Sequence, residues 1–196
     1  MLAVKDLITK YSTPVPRYTS YHTVPNWDLE KFQPGLYLKR LSEGFTEANG
    51  EGLSVYIHLP YCESLCTYCG CNTRITVNHK VEEPYVKAVL KEWKLLSEYF
   101  TEKPLIREIH LGGGTPTFFS ADNLCTLIEG VLATAFLSPD ASFSFEAHPA
   151  NTTEGHLKRL KEVGFDRLSL GVQDFDQKVQ KAINRVQTED DNLRVT

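Results

Sequence analysis

The sequence predicts an α/β fold in which helices cover a parallel β-sheet. Two observations predict it. Short segments in which apolar and polar residues alternate are each followed by an amphipathic segment of helical period, and this β-α unit repeats four times. Residues that can bind metals or ligands also follow each strand-like segment. Because ligand sites in parallel sheets lie at the carboxyl ends of the strands, the pattern predicts one site along one rim.

Two helices are expected before the first strand. Residues 1–10 fit a short helix, and residues 34–48 have an amphipathic pattern with Pro34 in the first turn and Asn49-Gly50 as its end. Three prolines within residues 11–27 exclude a regular element there. We interpret that segment either as a surface loop or as a lid that supplies polar groups to a site.

Four strands and four helices are expected after these. Each strand segment has a period of two, and each helix segment places its apolar residues on one face. The expected strands are LSVYIHLP (53–60), IREIHLGGG (106–114), ASFSFEAHP (141–149) and DRLSLGVQ (166–173), and the expected helices span about 82–99, 120–136, 153–163 and 175–185.

Composition and charge limit the class of protein. The 196-residue chain is 41% hydrophobic, which suits a folded domain. Its net charge is −4, and it has no basic run or tail that would favour nucleic acid or anionic membranes as partners. No apolar run approaches the roughly 18 residues of a membrane span, and the first residues lack the pattern of a secretory signal. We therefore expect a soluble cytoplasmic protein with reduced thiols and no nucleic-acid or membrane partner.

Four of the five cysteines lie within one short stretch. Cys62, Cys66 and Cys69 have the spacing C-x3-C-x2-C, and Cys71 follows. Thiolates this close repel one another unless a soft metal neutralises them. Three on one loop would hold three corners of an iron–sulfur cluster and leave the fourth iron open to a substrate or cofactor. Zinc and inert thiols are the alternatives, although structural zinc generally takes four ligands.

Glycines and polar residues follow the other three strands. Gly112-Gly113-Gly114 closes the second strand and would let a ligand approach exposed backbone amides. Glu146 closes the third strand, where a carboxylate would accept hydrogen bonds from a ribose or an amine. Gln173 closes the fourth. A tight turn and solvated side chains are the simpler interpretation of each alone, but their convergence on one rim favours ligand contact.

Three further residues receive no catalytic role. His58 and His110 lie on strands, and we interpret them as hydrogen-bonded histidines of the core. Cys125 lies on the apolar side of a helix, where it is expected to act as a small buried hydrophobe.

The cysteine spacing after the first strand resembles the signature of the radical S-adenosylmethionine (SAM) enzymes, and the GGGTP run agrees with it. In those enzymes the methionine part of SAM binds the open iron. One electron then cleaves SAM to methionine and a 5′-deoxyadenosyl radical, which abstracts a hydrogen from the substrate.

A narrower resemblance covers nearly the whole chain from residue 10 to 187. The chain is similar to the oxygen-independent coproporphyrinogen III oxidase family, which oxidatively decarboxylates two propionate side chains to the vinyl groups of protoporphyrinogen IX in haem and porphyrin biosynthesis. The motifs that carry the resemblance are PRYTSYHT, YIHLPYCESLCTYCGCN, HLGGGTPTF, GFDRLSLGVQDFD and VQKAINR.

The resemblance implies roles for the cysteines. Cys62, Cys66 and Cys69 would be the ligands of a 4Fe-4S cluster, whereas Cys71 matches an extra cysteine of the family that is not a ligand. The resemblance therefore implies an oxidoreductase that uses a 4Fe-4S cluster together with SAM.

The family binds two SAM molecules, and most of the contacting positions have counterparts here. Tyr68 stands where the family often has Phe, and an aromatic ring there keeps a stacking role. Arg17, Tyr18 and Tyr21 match the segment that closes over the substrate. The implied contacts are Tyr56, Gly113 and Glu146 for the first SAM and Tyr68, Gly114, Thr115, Gln173 and Arg185 for the second.

The resemblance also implies an incomplete barrel. The superfamily core is a partial parallel (β/α) barrel of six β-α units, of which four are readable, and the helical C-terminal domain has no counterpart. We therefore expect an N-terminal fragment, with N-terminal helices and a substrate-covering segment in 1–50 and an incomplete core in 51–196. Expressed alone, it is expected to be unstable or inactive.

Partners and alternatives follow from the same resemblance. It implies a flavodoxin- or ferredoxin-type electron donor and a monomeric full-length protein. A haem-binding or haem-trafficking protein is one alternative, although that sister group usually has Phe at the position of Cys71 and lacks PRYTSY. Another tetrapyrrole-acting radical SAM enzyme, such as a haem-opening methyltransferase, and a non-enzymatic zinc module are the others.

Overall fold

The structure, a computed structural model, describes residues 4–12, 28–48 and 50–196. Asn49 and residues 13–27 lie outside the described residues. Residues 13–27 are most of the segment interpreted as a surface loop or a lid, with Arg17, Tyr18 and Tyr21, so the expectations for them stay predictions. No helix in the described part of the chain is long and apolar enough to cross a membrane.

The chain divides into two compact units, residues 1–37 and 38–196. The first contains helix α1 (Val4–Tyr11) and a short 3-10 turn at Leu29–Lys31. Helix α2 (Pro34–Ala48) has the bounds that the sequence predicted. The predicted domain boundary at residue 50 stays a prediction.

A parallel sheet forms the centre of the second unit. The strands of this unit are β1 (Leu53–Leu59), β2 (Tyr61–Cys62), β3 (Arg74–Ile75), β4 (Leu105–Gly113), β5 (Phe136–Ala147) and β6 (Phe165–Leu170). The helices are α3 (Glu82–Ser97), α4 (Ala121–Leu132), α5 (Glu154–Glu162), α6 (Gln177–Ala182) and α7 (Glu189–Arg194). The main sheet has the order β1-β4-β5-β6, all parallel, which confirms the predicted α/β class.

The two faces of this sheet differ in polarity. The period of two sends Ile57, Ile109 and Phe143 to the face that packs against the helices, and each is at most 5% exposed. The opposite face carries polar side chains such as Tyr56 and His110, which are directly paired across β1 and β4. A ligand approaching this face would therefore meet polar side chains, while the other face of the sheet is packed against the helices.

Strand β5 begins earlier than the sequence predicted. The preceding helix was expected to reach residue 136, but α4 ends at Leu132, and Phe136 already pairs with Leu105. Residues 138–141 bulge out of the ladder, which resumes on their far side. Pro139 lies in this bulge, where its missing amide costs no ladder hydrogen bond.

Helix α7 was not predicted from the sequence. The Thr188 hydroxyl accepts a hydrogen bond from the Asp191 amide, and the Asp191 carboxylate accepts one from the Thr188 amide. This reciprocal cap is written in the sequence as T-x-x-D, a signal that could have located the helix. Val195, at its end, is buried.

Candidate cofactor site

A cavity of about 470 Å³ opens at the carboxyl ends of the main-sheet strands. Its volume lies within the range of about 300–1,000 Å³ usual for small-molecule sites. Of the site residues predicted from the sequence that the structure describes, it brings together all but Tyr56. Those in its lining are Cys62, Cys66, Tyr68, Cys69, Cys71, Gly113, Gly114, Thr115, Glu146, Gln173 and Arg185.

A separate two-stranded sheet ties the two ends of the cysteine loop together. The two-residue strands β2 and β3 pair with each other on either side of the loop, so that Cys62 lies opposite Ile75. The Thr76 amide donates to the Cys62 carbonyl at 2.9 Å. These contacts set the position of the first cysteine relative to β1, and the sequence analysis did not foresee them because two-residue strands have no readable period.

The loop is also anchored from the opposite side of the cavity. The Thr67 amide donates to the Ile183 carbonyl at 3.0 Å, and the Asn184 side chain donates to the Leu65 carbonyl at 2.8 Å. Both contacts come from the segment that follows α6. The cysteine loop therefore crosses the opening of the cavity, from the end of β1 to the segment that follows α6.

Two of the three predicted cluster ligands have a hydrogen-bond partner at sulfur. The Thr115 Oγ1 atom lies 3.2 Å from Cys62 Sγ. Arg185 Nη1 donates to Cys66 Sγ at 3.6 Å. The guanidinium is held in place because its Nε and Nη2 atoms both donate to the Gly171 carbonyl, at 3.1 and 2.8 Å.

The Cys62 and Cys71 thiols have a raised pKa in this environment. Burial raises the pKa of Cys62, and the charges of Cys69 and Cys66 raise it further, against the lowering effect of the Thr115 hydroxyl. Burial and then the charge of Cys69 also raise the pKa of Cys71. Crowded thiolates here therefore need a cation to neutralise them.

The glycine run makes room for protein atoms. A Cβ on Gly114 would lie 2.7 Å from the Pro60 carbonyl oxygen and 2.8 Å from Cys62 Sγ. A Cβ on Gly112 would lie 2.8 Å from the Tyr56 ring. Gly113 has φ +124°, which favours glycine. The run therefore allows the cysteine loop and β1 to pack directly against the end of β4.

One expectation about this run was wrong. The sequence predicted amides exposed to a ligand, but the Gly114 amide donates to the Leu59 carbonyl at 2.9 Å, and the Thr115 amide donates to the Tyr61 carbonyl at 3.0 Å. Because β1 and β4 are parallel neighbours, their ladder continues past the strand ends and uses these amides. Other atoms of the run remain in the cavity lining.

Gln173 and Arg185 lie together on the β6 side of the cavity. A Cβ on Gly171 would lie 2.6 Å from Arg185 Nη2 and 3.2 Å from Gln173 Nε2, so the glycine lets both side chains converge. Gln173 has φ 67°, an unusual conformation for a residue with a side chain. Such backbone strain is commonly retained at functional sites.

Tyr56 lies beside the cavity on the polar face of the sheet. Its hydroxyl is 3.0 Å from His58 Nδ1, and its ring stacks on His110 with centroids 5.8 Å apart. His110 Nε2 is 3.6 Å from the Glu146 carboxylate. Burial and then the charge of Glu146 raise the pKa of Tyr56. His58 and His110, expected in the core, are half-buried members of this polar row.

His148 is a site residue that the sequence analysis missed. It follows β5, lines the cavity, and accepts a hydrogen bond at Nδ1 from the Ala150 amide at 3.2 Å. Burial and then the nearby Arg185 cation lower the pKa of His148 to about 4. The ring is therefore neutral at pH 7, with its proton on Nε2. Its place two residues after Glu146 at a strand end was the available signal.

The three loop cysteines fit the thiolate ligation that an iron–sulfur cluster requires. Among the described residues, no group of three or more His, Cys, Asp or Glu side chains is arranged to hold one metal ion. The three loop cysteines all line the cavity. A cluster offers separate iron corners to separate thiolates, and Cys62, Cys66 and Cys69 would hold three of them. Cys125 is buried as predicted, 1% exposed, on α4.

Comparison with known proteins agrees with this arrangement. The model of the Radical SAM superfamily matches residues 56–196. The oxygen-independent coproporphyrinogen III oxidase of Pseudomonas aeruginosa is 37% identical over 192 residues, which are 97% of this chain and 41% of that protein. The enzyme of the same name from Helicobacter pylori strain 26695 is 38% identical over 185 residues, 93% of this chain and 40% of that protein.

A solved structure shares the fold. Coproporphyrinogen III oxidase from Escherichia coli, described as a radical SAM enzyme, superimposes with a TM-score of 0.79 at 30% identity, covering 95% of this chain and 40% of that one. The chain thus spans about two fifths of the length of the proteins that it matches.

Proposed function

Because the chain belongs to the radical SAM superfamily, we propose that it carries the cluster-binding part of an oxygen-independent coproporphyrinogen III oxidase. The reaction is the oxidative decarboxylation of two propionates of coproporphyrinogen III to the vinyl groups of protoporphyrinogen IX. The similarity to a relative of that name over 97% of this chain supports the proposal.

One observation carries the proposal. Three cysteines on a loop anchored at both ends face one cavity together with Glu146, Gln173 and Arg185. When bound, the 4Fe-4S cluster and SAM supply a radical that removes a hydrogen atom from the substrate. The protein's own part is to hold three irons through thiolates, leave one corner free, and line the cavity with groups for an amino acid and a ribose.

The individual roles are assigned from the resemblance of the motifs to the family. Cys62, Cys66 and Cys69 bind the cluster. Glu146 accepts hydrogen bonds from SAM, and the stacked Tyr56 and His110 pair supports its carboxylate from the sheet. The proposed SAM contacts are Tyr56, Gly113 and Glu146 for one molecule and Tyr68, Gly114, Thr115, Gln173 and Arg185 for a second.

The proposal extends to partners. The substrate's carboxylates suit an arginine such as Arg17, and Tyr18 and Tyr21 belong to the same covering segment. The electron comes from a flavodoxin- or ferredoxin-type protein. We further propose that the complete protein is a cytoplasmic monomer.

The test is anaerobic reconstitution with iron and sulfide, followed by incubation with SAM, a reductant and coproporphyrinogen III. A brown protein that cleaves SAM and releases two carbon dioxide molecules per porphyrinogen is expected from the full-length protein. Cys62→Ser should lose the cluster and all turnover, while Cys125→Ala keeps both, since Cys125 is buried away from the cavity. A colourless protein holding one zinc per chain would overturn the proposal.

A further inference from the structure

We propose that Thr115 is a positioning residue for the cluster: its hydroxyl donates a hydrogen bond to the ligand sulfur of Cys62 and raises the cluster's reduction potential. The inference rests on the proposed function, since it needs a cluster on Cys62. It gives Thr115 a role beyond contact with a cofactor molecule.

The hydroxyl of Thr115 is fixed in place by its surroundings. The residue is 7% exposed, and its amide is held by the Tyr61 carbonyl at 3.0 Å. Gly114, directly before it, has no space for a side chain because Cys62 Sγ occupies that position. The Oγ1 atom therefore stays 3.2 Å from the sulfur without any cost of ordering an exposed side chain.

The direction of this hydrogen bond is set by the ligand state of the cysteine. In the free thiol either atom can donate. A cysteine that binds iron is a thiolate and can only accept, so the Thr115 hydroxyl must then be the donor. A donor at a second ligand supports the interpretation, since Arg185 donates to Cys66 Sγ at 3.6 Å.

A donor at sulfur favours the reduced cluster. Reduction transfers one electron from an external donor to the cluster, with no proton moved, and part of the added negative charge resides on the ligand sulfurs. A hydrogen bond to a more negative acceptor is stronger. The bond therefore stabilises the reduced state more than the oxidised one, and hydrogen bonds to sulfur are a recognised determinant of cluster potentials.

The experiment compares three variants of the full chain, each reconstituted anaerobically and titrated with dithionite under EPR detection. Thr115→Val keeps the shape and removes the hydroxyl, and Thr115→Ser restores it. Thr117→Val is the matched control, because Thr117 is also buried but its hydroxyl pairs with Thr152. Thr115→Val should lower the equilibrium constant for reduction about tenfold, or about 59 mV for one electron. Thr115→Ser and Thr117→Val should match the parent.

Each outcome of the titration supports or contradicts the role of Thr115. If Thr115→Val holds full iron and keeps the parent potential, or if Thr115→Ser shifts as far as Thr115→Val, the inference is overturned. If Thr115→Val holds no cluster while Thr115→Ser does, the hydroxyl is needed to place Cys62, which supports the positioning role. A parent that holds no cluster refutes the proposed function instead, so the two failures are distinct.

Discussion

The side-chain amide of Asn184 donates a hydrogen bond to the carbonyl oxygen of Leu65 at 2.8 Å, although 119 positions separate the two residues. Asn184 adopts φ 53°, a left-handed conformation that Asn tolerates better than most residues. The neighbouring Ile183 carbonyl accepts from the Thr67 amide. The motif VQKAINR thus holds the cysteine loop in place through these two hydrogen bonds.

Asn184→Gly should weaken the attachment of the cysteine loop without straining the backbone. Glycine keeps the left-handed conformation, and only the side-chain hydrogen bond to Leu65 is lost. The cost is about 1 kcal/mol, and the Thr67 amide should exchange with solvent several-fold faster in hydrogen-exchange experiments. Asn184→Ala should be worse, since it adds backbone strain. Equal exchange rates of the Thr67 amide in the parent and in Asn184→Gly would show that the Asn184 hydrogen bond does not hold the loop.

Gly114→Ala should abolish cluster binding, because its methyl group would collide with Pro60 and with Cys62 Sγ. Gly70→Ala is the matched control: it lies in the same loop, and no atom would lie within 4 Å of its Cβ. Iron per chain after reconstitution is the measurement. Normal iron content in Gly114→Ala would show that the loop can move away from β4.

Glu146→Gln should weaken SAM binding about tenfold or more, since a hydrogen bond to a charged acceptor is worth about 1.5–3 kcal/mol and 1.4 kcal/mol is a factor of ten. Glu108→Gln provides the control, because Glu108 lies on the same face of the sheet but bonds to Ser54 at 2.8 Å, further from the cavity. Equilibrium dialysis of the cluster-bound protein measures the affinity. Equal SAM affinities for the two variants would show that Glu146 does not contact SAM.

His148 predicts a pH dependence of stability. Its pKa is about 4 in the folded protein against an ordinary value of 6.5, so between these values the unfolded chain binds more protons. The free energy of unfolding should therefore fall as pH drops from 6.5 towards 4, by on the order of 2 kcal/mol from this residue.

His148→Asn isolates that contribution, because asparagine keeps an acceptor for the Ala150 amide and does not titrate. The difference in unfolding free energy between parent and variant should change across this pH window and be constant above it. A constant difference from pH 4 to 7 would mean that His148 is not held neutral by the fold.

Several features of the site were readable from the chain alone. The period of two and the strand-end positions placed the cysteine loop, Glu146 and Gln173 on one rim, and the cavity lining brings them together. The role of the glycines was only partly readable. Their need for close approach was evident, but the approaching atoms belong to Pro60 and Cys62, which a one-dimensional pattern does not identify.

The sequence by itself determined the four parallel strands, the cysteine spacing and the rim, because these depend on local periodicity and on short separations along the chain. Only the tertiary structure decided which groups face each sulfur. Thr115 meets Cys62 across 53 positions and Arg185 meets Cys66 across 119. The order and register of the strands set such pairings, and neighbouring residues alone do not specify them.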